Sequence, residues 1–265
     1  MKHFRQLLFL ALREAGALIR RYFDQPIAVS FKKKSRINLV TKTDRAADRL
    51  IRRLLLKTFP THDFLTEESI PTGKSSPYKW IIDPLDGTTN YAHHFPQVGV
   101  SIALEYQGTM ILGGVYDPFR DELFWAEEGR GAWLIHAGRQ KRLSVSPTRS
   151  LAHSLLLTGF PYDRRERIDI YLMYVKAFMQ QIQGIRRAGA AALDLCWVAC
   201  GRVDGYWEWR LKPWDVAAGV LIVTEAGGRV SDFSGKRFST YGEQTLATNG
   251  RIHRAMLREM RALPR

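Results

Sequence analysis

Cysteine is nearly absent from this chain: among 265 residues only Cys196 and Cys200 occur. A disulfide-stapled secreted scaffold is therefore excluded. The two lie four residues apart in a stretch that reads as a helix. A full turn then separates their backbones, which disfavours a mutual disulfide, and without nearby histidines two thiols make a poor zinc site. They read as small core residues in a reducing cytoplasm. Also missing is any apolar run long enough to span a bilayer, so no membrane contact is expected. Residues 1–22 start basic and then turn apolar, but Arg13 and Glu14 interrupt the run too early for a signal peptide. Leu7, Leu8, Ala11, Ala15 and Leu18 instead fall on one face of an amphipathic helix. Repeats and low-complexity tracts are absent, and at 45% hydrophobic the chain can bury a sizeable core. We expect 1–265 to be one unit, an α+β half (1–140) followed by an α/β half (141–265), with residues 139–150 as a loop at the seam.

Acids are outnumbered: 26 Asp and Glu face 40 Lys and Arg, a net charge of +14. Basic residues cluster at 32–36, 139–142, 164–167, 186–187 and 251–265. Such a surface steers anionic substrates and also contacts RNA, DNA or acidic proteins non-specifically. No nucleic-acid motif or RNP-like aromatic run accompanies it, and arginines on solvated helix faces give the same charge.

The acids that matter concentrate at three strand ends. Trp80-Ile81-Ile82 has a buried-strand pattern and runs into Asp83-Pro84-Leu85-Asp86-Gly87-Thr88-Thr89-Asn90. Pro84 is expected to stop strand pairing, leaving both aspartates at the strand's exit. Open α/β sheets place ligands at such exits. Asp83, Asp86 and the Leu85 carbonyl offer three hard oxygens for a cation such as Mg2+. Gly87 permits close backbone approach, and Thr88-Thr89-Asn90 read as the opening of a helix, whose free N–H groups suit a phosphate. The same residue types also compose ordinary surface turns. Two further junctions end in acid: Phe64-Leu65 leads to Glu67-Glu68-Ser69, and the strand at 206–209 is followed by Trp214-Asp215. His93-His94 lie just past the first turn, as rim residues or plain loop. No serine, cysteine or histidine has the context of an activated nucleophile, so a covalent phosphoenzyme is not called for.

Taken together, Glu67-Glu68-Ser69, residues 83–91, Gly189-Ala190-Ala191-Ala192-Leu193-Asp194, and Trp214-Asp215 followed by Glu225-Ala226-Gly227-Gly228 resemble the inositol monophosphatase family, in its order and roughly its spacing. The family sits among the Mg2+-dependent, lithium-sensitive phosphatases that include fructose-1,6-bisphosphatase. The resemblance covers nearly the whole chain and implies a layered αβαβα sandwich, a cytoplasmic homodimer, and hydrolysis of myo-inositol 1-phosphate and related polyol phosphates with two or three Mg2+ ions. It implies that Glu67, Asp83 and the Leu85 carbonyl hold one metal while Asp83, Asp86 and Asp215 hold a second. It further implies that Thr88, oriented by Asp44, positions the attacking water beside Glu67. The Gly87 and Thr88 amides would hold phosphate. Glu208, Asp215 and the Ala191 backbone would meet the alcohol's hydroxyls, and Asp86 too would belong to the substrate-binding set. Lys33 falls where the family has a mobile lysine loop, near a third, weaker metal site.

Two departures stand out. Asn38 replaces a frequent aspartate, and Ala190 replaces a common threonine or serine, which removes a hydroxyl from the substrate side and bears on alcohol preference. Glu208 points to a polyol, or is an acid on a strand edge between aromatics. The same chemistry on fructose-1,6-bisphosphate, 3′-phosphoadenosine 5′-phosphate or NADP is an alternative. A regulatory protein of this fold that binds RNA or the transcription machinery is another.

Helices are expected at 1–22, 44–59, 167–181, 190–200, 214–225 and 252–261, with a Lys-rich hairpin or loop after the first. Strands are expected near Trp80 and at 98–106, 110–116, 123–126, 154–158, 185–187, 204–209, 229–231 and 244–248.

Overall fold

The amphipathic first segment forms helix α1 (Lys2–Phe23), which buries Leu8, Leu12, Ala15 and Ile19 completely and leaves Leu18 only partly covered. The computed structural model describes residues 1–27, 29–31 and 39–263. Strands β1 (Val29–Phe31) and β2 (Leu39–Thr41) pair antiparallel, as a hairpin reading requires. Helix α2 (Lys42–Thr58) follows at once. Thr41 is its N-cap and accepts from the Thr43 and Asp44 amides, while Asp44 Oδ2 accepts back from the Thr41 amide at 2.9 Å. The Thr-x-x-Asp spacing is thus a capping box that defines the helix start.

Strands β3 (Asp63–Thr66), β4 (Tyr78–Asp86), β5 (Gly99–Tyr106), β6 (Thr109–Asp117), β7 (Glu122–Glu127), β8 (Ala132–His136) and β9 (Arg139–Arg142) form a seven-stranded sheet in chain order. Only β3 and β4 run parallel; every later neighbour is antiparallel. A short helix, α3 (Thr88–Ala92), interrupts the path from β4 to β5. The second half contributes β10 (Leu155–Thr158), α4 (Arg164–Met179), β11 (Gly184–Arg186), α5 (Ala191–Ala199), β12 (Gly205–Trp209), α6 (Pro213–Glu225), β13 (Arg229–Ser231), β14 (Gln244–Thr248) and α7 (His253–Arg261). Its five strands order as β11-β10-β12-β14-β13.

Period-two alternation sorts the first sheet's side chains into two cores. Trp80, Ile82, Ile102 and Leu104 face α1 and α2, whereas Ile81, Ala103, Val115 and Phe124 face α5 and α6. Those two helices also cover one face of the five-stranded sheet, through Tyr206, Leu157 and Ala247. Its other face, with Trp207, Trp209 and Leu246, packs on Tyr174 and Phe178 of α4 and on Met256 and Met260 of α7. The layers therefore alternate helix, sheet, helix, sheet, helix. Close approach in the middle depends on small residues: a Cβ on Gly113 of β6 would lie 2.9 Å from Ala218 Cα of α6.

Three local expectations are corrected. Pro84 does not end β4, which continues to Asp86 through a bulge between Asp83 and Asp86. Bulges are among the few sheet positions that accept proline. Residues 139–142 are not loop but strand β9, whose four exposed polar residues form the sheet's outer edge. Charged edges of this kind discourage pairing with other chains. Helix α4 begins at Arg164, before the expected start, with a kink at Arg167 where φ is −124°. Among the described residues no helix is long and apolar enough to cross a membrane. Cys196 and Cys200 are both free thiols.

Candidate active site

The site is built on the β4 bulge. On a regular strand two residues an odd number apart face opposite sides. Asp83 pairs with Ser101 but Asp86 with Gly99, so β4 carries one residue more than its partner over this span. The extra residue changes the parity and brings both carboxylates to one side. Gly87 then turns the chain with φ 91°, and a Cβ there would sit 2.8 Å from the Gln97 carbonyl, so only glycine fits.

Three neighbours complete the acidic floor. The parallel β3–β4 pair ends at Thr66 opposite Ile82, and the Glu67 amide donates to the Ile82 carbonyl at 3.2 Å, which holds Glu67 beside Asp83. Ser101, the register partner of Asp83, donates its hydroxyl to the Trp214 carbonyl at 3.2 Å. That bond docks the start of α6, whose third residue, Asp215, accepts from the Lys212 amide at 2.7 Å. From the α2 capping box, Asp44 Oδ1 accepts from the Thr88 hydroxyl at 2.9 Å; the same hydroxyl lies 3.2 Å from the Leu85 carbonyl.

Glu67, Asp83, Leu85, Asp86, Gly87, Thr88, Ala191, Glu208 and Asp215 all line one cleft of about 460 Å3. Asp44 stands behind Thr88, buried. The cleft size suits a small-molecule ligand. The start of α5 is tied to the acidic floor as well: the Ala192 amide donates to Asp86 Oδ2 at 2.8 Å.

Crowded acids raise one another's proton affinity. Burial, then the charges of Glu67, Asp86 and Asp215, push Asp83 well above the usual carboxylate range. Burial, then Glu67 and Asp86, do the same to Asp215. Asp86 is pushed up to about 7 by burial, against the opposing pull of the Ala192 amide. Glu208 is also pushed up to about 7 by burial, opposed by its hydrogen bond from Tyr206 and by Arg187. Asp44 is raised by burial although three donors oppose the shift.

Among the described residues no group of three or more His, Cys, Asp or Glu side chains is placed to hold a metal ion as it stands. The donor chemistry nonetheless fits a hard divalent cation. All the donors are oxygens, and they are near enough that Asp83 feels three other carboxylates. A cation among them would remove the repulsion that burial has concentrated there.

Several lining residues escaped the sequence reading. Arg164, Arg187, Arg210 and Lys212 give the acidic floor a basic rim, and Gly159 to Asp163 form one wall. Arg210 is held by Asp163 at 2.7 Å. The signal available was positional, because Gly159 directly follows β10 as Arg210 follows β12. His93 and His94 do not line the cleft; His94 Nδ1 instead bonds the Phe23 carbonyl at 2.7 Å. Ala190 is fully buried and does not line it either, although its neighbours Gly189 and Ala191 do. Lys33, with the rest of residues 32–36, and Asn38 lie outside the described residues.

The sequence model of the inositol monophosphatase family matches residues 1–264. The Nus factor SuhB of Pseudomonas aeruginosa is 44% identical over 252 residues, covering 93% of this chain and 92% of that protein. An inositol-1-monophosphatase of Synechocystis is 45% identical over 228 residues, covering 86% and 78%. In three dimensions the extragenic suppressor protein SuhB of Bartonella henselae superposes with a TM-score of 0.91 at 39% identity, covering 97% of this chain and 98% of that one. Motif order, layered architecture and full-length similarity thus agree, and the chain belongs to the inositol monophosphatase family.

Proposed function

We propose that this chain is a Mg2+-dependent phosphomonoesterase that hydrolyses myo-inositol 1-phosphate and related polyol or sugar phosphates to the alcohol and phosphate. The observation that carries the reading is the convergence of Glu67, Asp83, Asp86 and Asp215 on one cleft beside the Thr88–Asp44 hydrogen bond. Glu67, Asp83 and the Leu85 carbonyl would hold one Mg2+, and Asp83, Asp86 and Asp215 another. Bound there, the ions supply Lewis acidity and charge neutralisation for a phosphate dianion that four carboxylates would otherwise repel.

The chain's own groups do the positioning. A threonine hydroxyl has one proton and two lone pairs. Donation to Asp44 leaves the Thr88 oxygen as an acceptor toward the cleft, able to align a water's hydrogen beside Glu67. The Gly87 and Thr88 amides at the turn would receive phosphate oxygens. Glu208, Asp215 and the Ala191 backbone would receive the alcohol's hydroxyls. A homodimer belongs to the same reading, and light scattering decides it. The test of the activity is phosphate release from inositol 1-phosphate, fructose 1,6-bisphosphate, 3′-phosphoadenosine 5′-phosphate and NADP with Mg2+, with EDTA and with lithium. Release that ignores EDTA overturns the proposal.

A second reading, a regulatory protein that contacts RNA or the transcription machinery, is favoured by the name Nus factor carried by the Pseudomonas relative and by the +14 charge. RNA retention by Asp83→Asn at wild-type affinity, falling steeply with salt, supports it as a role separate from the cleft.

A further inference from the structure

Glu208 is the penultimate residue of β12, held by packing on both faces of that strand. Along a strand Tyr206 and Glu208 share one face while Trp207 and Trp209 share the other. The two tryptophans are wedged among α4 and Phe233: Trp207 lies 4.7 Å from Phe178, and Trp209 4.5 Å from Tyr174 and 4.8 Å from Phe233, ring centre to ring centre. Strand β12 therefore cannot roll about its axis. On the opposite face the fully buried Tyr206 donates its hydroxyl to Glu208 Oε2 at 2.5 Å.

The neighbouring strand supplies the space. Thr158 of β10 is in register with Trp207 and donates its hydroxyl to the Trp207 carbonyl at 2.8 Å, which brings the next residue, Gly159, alongside Glu208. A Cβ on Gly159 would fall inside the Glu208 carboxylate, onto Oε2, Cδ and Oε1. Gly159 and Glu208 both line the cleft, and Glu208 keeps partial exposure to it.

We propose that Tyr206 and Gly159 are positioning residues for the alcohol: the tyrosine hydroxyl fixes Oε2, the missing side chain at Gly159 leaves room for the carboxylate, and Oε1 is presented to a hydroxyl of a polyol substrate. The inference rests on the polyol-phosphatase reading above and adds the residues that set its selectivity. A single carboxylate oxygen held in place rewards an alcohol that donates to it and gains nothing from an ester without hydroxyls. Tyr206 and Gly159 themselves need not touch the substrate, so their substitution acts through Glu208.

The test compares inositol 1-phosphate with 4-nitrophenyl phosphate, which lacks ring hydroxyls, in the Mg2+-loaded protein. Tyr206→Phe should raise KM for inositol 1-phosphate about tenfold with kcat within about twofold, as expected for lost uniform binding, and should leave both constants for the aryl ester unchanged. Gly159→Ala should show the same selectivity. Tyr206→Phe combined with Glu208→Gln should be no worse than Glu208→Gln alone, because the pair acts as one unit. Equal losses on both esters, unchanged KM on inositol 1-phosphate, or multiplicative losses in the double variant each overturn the positioning role while leaving the phosphatase reading intact. If Gly159→Ala does not fold, Tyr206→Phe alone decides. Wild-type protein that cleaves only the aryl ester, or neither ester, overturns the proposed substrate and this inference with it.

Discussion

The Ala192 amide donates to Asp86 Oδ2 at 2.8 Å, joining the first turn of α5, in the second half, to the acidic floor of the first. Helix α5 is itself locked to α6 where Leu195 fills the space left by Gly219. A carboxylate of the site is therefore tied to the middle helical layer, and so is Asp215 through its own helix.

The cluster of acids holds more negative charge than burial tolerates, so Asp83→Asn should separate activity from stability. Turnover should fall about a thousandfold through lost charge at the reacting centre. The apo protein should gain about 1–2 kcal/mol at neutral pH from relieved repulsion, since the Asn oxygen still accepts from the Leu85 amide. Urea denaturation in EDTA checks the second outcome, and a loss of apo stability there contradicts the electrostatic account.

Thr88→Ala should lower kcat about a hundredfold with little change in KM if, as proposed, the hydroxyl aligns water and not the alcohol. Steady-state kinetics at saturating Mg2+ measures this. An effect confined to KM refutes the role.

Gly113→Ala would push a Cβ against the Ala218 backbone of α6, to 2.9 Å from Cα and 3.2 Å from the carbonyl oxygen. Backbone cannot yield as a side-chain tip does, so the substitution should cost about 1–3 kcal/mol of stability. Because α6 carries Asp215, Mg2+ affinity should fall with it. Calorimetric Mg2+ titration of the folded variant checks the coupling, which unchanged affinity disproves.

His253 is buried between Ser231 and Thr248, each 2.9 Å from a ring nitrogen, and burial followed by nearby Arg229 lowers its pKa to about 4. The unfolded chain binds its proton near pH 6.5, so the contribution is complete above that value and is lost as pH falls toward 4. At pH 5 the loss should be about 2 kcal/mol relative to pH 7.5. His253→Asn should show a correspondingly flatter pH dependence between those values in chemical denaturation. Identical slopes for the two proteins rule the assignment out.

The sequence made the site legible where chemistry concentrates. Asp83, Asp86 and the glycine turn announce a ligand by residue type alone, and Glu67 and Asp215 follow recognisable strand and helix patterns. The bulge was hidden because Pro84 argues locally for a strand end, while pairing with Ser101 and Gly99 overrides it. Strand β9 was hidden because Arg139, Gln140, Lys141 and Arg142 are all exposed and carry no apolar alternation. The Tyr206–Glu208 pair is implied by strand periodicity, but which partner Glu208 chooses depends on β10 lying alongside, a relation between segments far apart in the chain.

The additional residue in β4 makes the spacing of the acids a matter of counting. The side chain at 85 is buried in the core shared with α1 and α2 and admits only apolar residues of similar size, while its carbonyl is the donor proposed for the cation. Deleting residue 84 or 85 would abolish the bulge: the two aspartates would still share a face, now two apart on a regular strand, but the extra carbonyl and the local bend between them would be lost. Within this family, variation in length should consequently be purged from this short stretch more strictly than variation in letter.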